Sequence, residues 1–242
     1  MVYTLNKRKI KLKQCNETYN GKCQREVRVD DKCILHCKKN TPKNVLESKS
    51  IYLKDRNSGL LSNFYDELIN YAIEQLFERT ERLDGKYSKD EITDYLKSDK
   101  FDNDKYNEKY NEAFKKSIFI PSRIHFPTRD ARDSFDYLKI LKLFGRIHFI
   151  DCEFYTSSLD LENVECFFQD CKFHDEWTLF NCGLLKNEDN VIYQHCEFTK
   201  SVSTYLATYN HSQFDYTCKF KENLKLNRAI FENRLFNTEQ NN

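Results

Sequence analysis

A short motif recurs through the C-terminal half of this chain: an apolar residue, then Cys, one residue of any kind, and Phe. Within one copy, side chains of similar character are five residues apart, as in Ile147 and Cys152 or Phe149 and Phe154. A helix repeats about every 3.6 residues and a strand about every two, so neither produces this step. A fixed short period instead indicates a solenoid, in which every coil presents the same residues to one shared core.

The spacing of the motif fits one copy in each coil. The gaps between the strongest copies are 19, 25 and 22 residues. We therefore predict that the cysteines of these copies stack on one wall and that the phenylalanines stack beside them. A meander of short strands that carries the motif by chance is the alternative. The predicted core residues are Cys152, Phe154, Cys171, Phe173, Cys196, Phe198, Cys218 and Phe220.

The step of five resembles the pentapeptide-repeat family, in which a small residue lies two positions before a central Leu or Phe and both point inward. The resemblance covers residues 145–236 and implies a right-handed, quadrilateral β-helix with one pentapeptide on each side. It is irregular, because residues 183–190 and 201–212 do not fit the period. Some members of the family imitate DNA, but that role needs a more acidic rod than this one. The most regular run is Leu224/Leu226, Ala229/Phe231 and Arg234/Phe236.

A second group of cysteines lies near the N-terminus, with the spacing C-x7-C-x9-C-x2-H. Zinc binds four such ligands tetrahedrally, and a segment this short and polar gains little folding energy from a core of its own. We predict a structural Zn²⁺ site at Cys15, Cys23, Cys33 and His36, with Cys37 as the alternative to His36. Cysteines without a metal are the other alternative. The segment resembles Cys3His knuckles such as the plant WRC motif and cysteine modules of bacterial repeat proteins, but its shorter spacing carries over no residue roles.

Positive charge is concentrated around this cysteine group. Residues 1–50 contain 13 Lys and Arg against 5 Asp and Glu, whereas the rest of the chain contains 26 against 33. A basic arm beside a zinc module can bind phosphates, or it can be a solvated face that docks onto the acidic remainder of the molecule. The candidate nucleic-acid contacts are Lys7, Arg8, Lys9, Lys11 and Lys13.

The sequence predicts an α+β chain in three parts. A basic zinc module spans residues 1–45, a mainly helical segment spans 46–144, and the degenerate β-helix spans 145–242. The middle segment includes a short strand pair near residues 117–126 and a helix near 130–144 that we expect to close the open end of the solenoid. We expect the zinc module and the solenoid to have separate cores.

The sequence contains no Gly-rich phosphate loop, G-x-S-x-G or H-E-x-x-H motif. The densest polar cluster in the repeats, at residues 174–177, is a candidate pocket lining together with Asp151 and Asp170. We therefore predict a non-enzymatic interaction protein with a protein partner. Nucleic-acid binding is the alternative, and an enzyme with an unrecognised site is a further one. No run approaches the roughly 20 apolar residues that cross a bilayer, and reduced cysteines favour the cytoplasm.

Overall fold

The computed structural model describes residues 14–16, 23, 25–27, 31–39, 60–79, 88–98, 112–128, 136–162, 164–181, 191–205, 207–232 and 234–237. In this part of the chain the helices are α1 (Leu60–Arg79), α2 (Lys89–Lys97) and α3 (Leu138–Leu141), and residues 112–116 are also helical. The strands are β1 (Ile118–Phe119), β2 (His125–Phe126), β3 (Arg146–Ile150), β4 (Glu153–Phe154), β5 (Glu165–Gln169), β6 (Lys172–Phe173), β7 (Trp177–Thr178), β8 (Val191–Gln194), β9 (Glu197–Phe198), β10 (Val202–Tyr205), β11 (Thr208–Tyr209), β12 (Ser212–Asp215), β13 (Lys219–Phe220), β14 (Leu224–Asn227), β15 (Ile230–Phe231) and β16 (Phe236–Asn237).

These strands stack as the parallel sheets of a β-solenoid. The first face has the order β1-β3-β5-β8-β12-β16, and the second face has the order β2-β4-β6-β9-β13. The third face is β7-β10-β14, and the fourth is β11-β15. Every pair of neighbouring strands runs parallel, so each sheet is built from equivalent sides of successive coils. The predicted solenoid is confirmed.

The five-residue step corresponds to the passage from one face to the next. Ile147 and Phe149 are buried on the first face, and Cys152 and Phe154 are buried on the second. The chain turns between the two faces at Asp151, whose φ of 52° lies in the left-handed region that Asp tolerates better than most residues. Five residues therefore make one straight side and one corner, which neither a helix nor an isolated strand would require.

Ladders of stacked aromatic rings fill the interior. On the second face, the ring of Phe173 lies 5.0 Å from that of Phe154 and 4.6 Å from that of Phe198. All three are buried, as predicted, whereas Phe220 at the end of the ladder is only partly buried. The first face has a parallel ladder of Phe149, Phe168, Tyr193 and Phe214.

The predicted cysteines stack beside these rings. Cys152, Cys171 and Cys196 are buried, and the Sγ of Cys196 donates to the carbonyl oxygens of Phe168 and Gln194 at 3.3 Å. Burial raises the pKa of Cys171 well above its ordinary value, which keeps that thiol protonated. Cys218, in the last coil, is partly exposed. The cysteines therefore act as small apolar residues whose thiols also satisfy main-chain carbonyls.

The first coil begins before residue 145. β1 and β2 do not pair with each other: β1 pairs with β3, and β2 pairs with β4. The free edge of this coil is covered by α1, where the Gln75 side-chain amide donates to Ile120 O at 2.7 Å and accepts from Ile120 N at 2.8 Å. Gln75 thus replaces the neighbouring strand that Ile120 would otherwise lack.

The end-closing role predicted for the helix near 130–144 is therefore wrong. The described part of that segment contains only α3, which lies in the connection between β2 and β3. The connection enters β3 at Gly145, where a Cβ atom would lie 2.1 Å from the carbonyl oxygen of Lys115. The two chain segments approach so closely there that only glycine fits.

One hydrophobic core runs through the described residues, from Cys15 and Leu35 through α1 to Phe214 in the solenoid. The expectation of separate cores is wrong, because the cysteine module and α1 pack directly against the first coil. Within the same residues, no helix is both long and apolar enough to cross a membrane.

The ring ladder predicts that position along the stack sets the energetic value of a phenylalanine. Phe173→Ala should lower the free energy of unfolding by about 3–5 kcal/mol, because a ring packed on both sides leaves a cavity. Phe220→Ala, the matched change at the ladder's end, should have a clearly smaller effect. Urea unfolding followed by circular dichroism measures both, and equal losses would contradict the stacking account.

Candidate metal centre and its contact with the solenoid

Short main-chain contacts bring the N-terminal cysteines together. Cys15 N donates to Arg25 O at 2.9 Å, beside an antiparallel bridge between Gln14 and Glu26. Further along, the chain makes a turn in which His36 N donates to Cys33 O at 3.1 Å. The C-x2-H spacing thus places two donors on one turn, and the bridge places Cys15 opposite them.

The donor atoms of Cys15, Cys23, Cys33 and His36 all lie within 4.8 Å of one another. His36 Nδ1 is 3.6 Å from Cys15 Sγ and 3.3 Å from Cys33 Sγ, and the sulfurs of Cys23 and Cys33 are 4.0 Å apart. A tetrahedron of sulfurs about 2.3 Å from a central ion has edges of roughly 3.8 Å. The four residues chosen from the sequence are therefore close enough to hold one metal ion.

The protonation of the group also suits a cation. The hydrogen bond between the two thiols lowers the pKa of Cys23 and raises the pKa of Cys33, so the pair shares one proton. Cys15 and Cys33 are buried and Cys23 is partly exposed. A cation that displaces the shared proton would neutralise thiolates that are otherwise costly to bury.

Cys37, the alternative ligand, makes different contacts. Its Sγ donates to Ile34 O at 3.6 Å and lies 3.3 Å from the Nζ of Lys39, which is buried. Lys39 Nζ also donates to Ile34 O at 2.9 Å and lies 5.5 Å from the centre of the Phe64 ring. Burial lowers the pKa of Lys39. This lysine links the turn that carries the metal ligands to α1.

The same turn closes the edge of the second face. Leu35 O accepts a hydrogen bond from His125 N at 2.9 Å, so the turn takes the place of a strand next to β2. Arg25 adds a second attachment, since its guanidinium lies 3.0 Å from Glu67 and 2.7 Å from Glu74 of α1. The metal ligands are therefore built into the N-terminal cover of the solenoid.

A polar cluster lies outside the second face next to this junction. Glu153 Oε2 accepts from His174 Nε2 at 2.7 Å and from the Tyr155 hydroxyl at 2.8 Å, and it lies 3.5 Å from His125 Nδ1. Burial lowers the pKa of His125 to about 4. Burial opposes ionisation of Glu153, yet the hydrogen bond from His174 outweighs it and lowers the pKa of Glu153 to about 2. Glu153 therefore stays ionised while His125 is neutral at physiological pH.

The remaining predicted site residues are not assembled into a pocket. Trp177 is fully buried and its Nε1 donates to the Tyr193 hydroxyl at 3.0 Å, so the proposed pocket lining at residues 174–177 is wrong for this residue. Asp151 instead pairs with Arg123 at 2.8 Å on the solenoid corner. The candidate nucleic-acid contacts Lys7, Arg8, Lys9, Lys11 and Lys13 lie outside the described residues.

Sequence reasoning missed His125, Glu153 and Arg25. The first two meet only because β2 stacks on β4, and β2 lacks the Cys-x-Phe motif that marks the later coils. Comparison with protein-family models, with curated proteins and with solved structures found no match for this chain. The functional argument therefore depends on the geometry alone.

We predict that the protein purified without a metal-affinity tag contains one bound metal ion per chain, measured by elemental analysis. The double variant Cys23→Ala/Cys33→Ala should lose it, because two of the four ligands are gone. Cys37→Ser is the matched control and should keep the ion, since Cys37 contacts Ile34 and Lys39 instead. Loss of metal in the control, or retention in the double variant, would contradict the ligand assignment.

Acid should destabilise the junction through His125. Its pKa falls from 6.5 to about 4 on folding, so the unfolded chain binds the extra proton within that window. The stabilisation is present above pH 6.5 and is lost as the pH falls toward about 4. His125→Gln should flatten the pH dependence of the unfolding free energy in this window. His195→Gln, at an exposed corner, is the control, and an equal effect of both variants would exclude this cause.

Proposed function

We propose that this chain is a non-enzymatic interaction protein of the pentapeptide-repeat type that binds another protein through its solenoid. The carrying observation is the difference between the two ends of the stack. The first coil is covered by α1 and the cysteine module, whereas the final coil, residues 216–237, is open. Five large hydrophobic side chains are exposed in the described residues, and all except Ile118 belong to the final coil: Tyr216, Leu226, Ile230 and Phe236.

The assignment to the pentapeptide type is supported by the inward pairs of each side. Cys166 and Phe168 on the first face are followed five residues later by Cys171 and Phe173 on the second, and all four are buried. A small residue followed by a large one at this spacing is the family's pattern. Insertions between the third and first faces account for coils longer than a regular one.

We assign Zn²⁺ to the cysteine group, because three thiols and one imidazole are soft or borderline donors in a four-ligand set. Its role is structural: with all four positions taken by the protein, the ion has no open site for a substrate. Its effect reaches the solenoid through Leu35, whose carbonyl accepts from His125. The buried thiols of the repeats would remain reduced in the cytoplasm, where we place the protein.

Nucleic-acid binding is the second candidate, favoured by the 13 Lys and Arg against 5 Asp and Glu in residues 1–50. Phosphate contacts release counterions, so this binding would weaken steeply with salt. The protein-partner function is preferred because the exposed apolar surface is at the opposite end from the basic arm.

The two candidates are separated by a variant that neutralises Lys7, Arg8, Lys9, Lys11 and Lys13 to Gln. Deleting residues 1–50 is unsuitable, because it would also remove the cover of β2. We expect the variant to retain its protein partner in quantitative affinity capture from the source organism, and we expect no salt-dependent affinity for single- or double-stranded DNA or RNA. Salt-sensitive nucleic-acid binding whose slope falls by up to ~0.9 per lost duplex contact would overturn the preference.

A further inference from the structure

We propose that the final coil is a docking edge for an extended, acidic polypeptide segment, which adds as a further strand along β14 and covers the apolar end of the solenoid. This inference rests on the proposed function, since it names the surface and the chemical class of the protein partner. It concerns only the described residues 216–232 and 234–237. Three independent features of that coil support it: its strand edge, its apolar end and its charge.

The strand edge is open at the final coil. In the described residues β14 pairs only with β10, and it is the outermost strand of the third face. It is also the longest strand of the final coil, with four residues. The outer edge of such a strand presents main-chain N–H and C=O groups to an incoming chain, and an extended peptide satisfies them by strand addition.

The side chains beside this edge are apolar and lack the cover that their equivalents have one coil earlier. Leu226 is 40% exposed, whereas its register partner Thr204 is 2% exposed. Phe236 is 39% exposed, whereas its partner Phe214 is fully buried. Ile230, on β15, is 62% exposed. A further layer of chain would bury this surface as each earlier coil is buried by its successor.

The charge of the final coil differs in sign from that of the coils before it. Residues 216–237 contain five Lys and Arg against two Asp and Glu, whereas residues 145–215 contain four against twelve. One of the two acids, Glu222, pairs with Lys200 of the preceding coil at 2.9 Å. Lys219, Lys225 and Arg228 are exposed. An acidic segment is therefore attracted to this edge.

The same charge decides between possible occupants. A second copy joined end to end about a two-fold axis would place two basic coils against each other, which is unfavourable. Basic side chains on a strand edge are a known protection against such self-pairing. Nucleic acid would meet the charge, but it offers no main-chain donors for β14 and no aliphatic groups for Leu226 and Ile230. A polypeptide satisfies all three features.

The test uses the full-length, metal-loaded protein and a fluorescent peptide that alternates Val and Glu, with binding followed by anisotropy. We expect this peptide to bind and a peptide alternating Val and Lys not to bind. Methylating alternate main-chain nitrogens of the Val–Glu peptide should weaken binding by about tenfold or more, because the strand hydrogen bonds are lost. Equal binding of the acidic and basic peptides, or no effect of methylation, would overturn the proposal.

Two variants locate the site. Ile230→Ser and Lys225→Glu, both at exposed positions, should each weaken peptide binding by about tenfold. The matched controls are Ile118→Ser, an exposed isoleucine of the first coil, and Lys115→Glu, an exposed lysine at the same end. Unfolding curves establish that all four variants fold. Equal losses in the variants and controls, or no loss in either, would overturn the proposal.

Two further outcomes would assign the edge to another occupant and overturn the proposal. One is displacement of the peptide by single-stranded RNA at physiological salt. The other is a dimer in sedimentation experiments that Ile230→Ser dissociates. If the peptide fails while the protein still captures its partner in the assay proposed above, the docking edge is wrong and the interaction function stands. Loss of the partner as well would remove both.

Discussion

In a stack of parallel coils, each strand and each inward ring is satisfied only by the coils directly above and below it. Phe173 illustrates this, since its ring stacks on Phe154 on one side and on Phe198 on the other. Interior coils therefore stabilise one another with little help from the rest of the chain. The two ends lack a neighbour, so the chain must supply main-chain partners and apolar cover there, or leave the end to another molecule.

The two ends of this solenoid meet that requirement differently. At the N-terminal end, Gln75 of α1 pairs with Ile120 and the carbonyl of Leu35 pairs with His125. The turn that provides Leu35 also carries Cys33 and His36, so metal binding and closure of the β2 edge are one structural event. At the C-terminal end, the last described strands keep apolar side chains exposed. That asymmetry connects a structural metal to an interaction surface at the far end.

The sequence predicted what repeats and what is local. The Cys-x-Phe motif identified the coils from Cys152 onward, because successive coils impose the same packing on each copy. The C-x2-H spacing identified Cys33 and His36, because one turn fixes their separation. The first coil was missed because Ile118 and His125 pair with later strands without repeating the motif. Gln75 and Leu35 could not be found from the sequence, since their partners are set only by tertiary packing.

Hydrogen exchange measured with and without a metal chelator tests the asymmetry most directly. In the metal-loaded protein we expect slow exchange at the amides of Ile120 and His125 and fast exchange at those of the outer strands β13 to β16. Removing the metal should release His125 while Ile120 stays protected, because Gln75 belongs to α1 and not to the cysteine module. Protection of His125 that is unchanged by the chelator, or final-coil amides as slow as those of β6, would contradict the account.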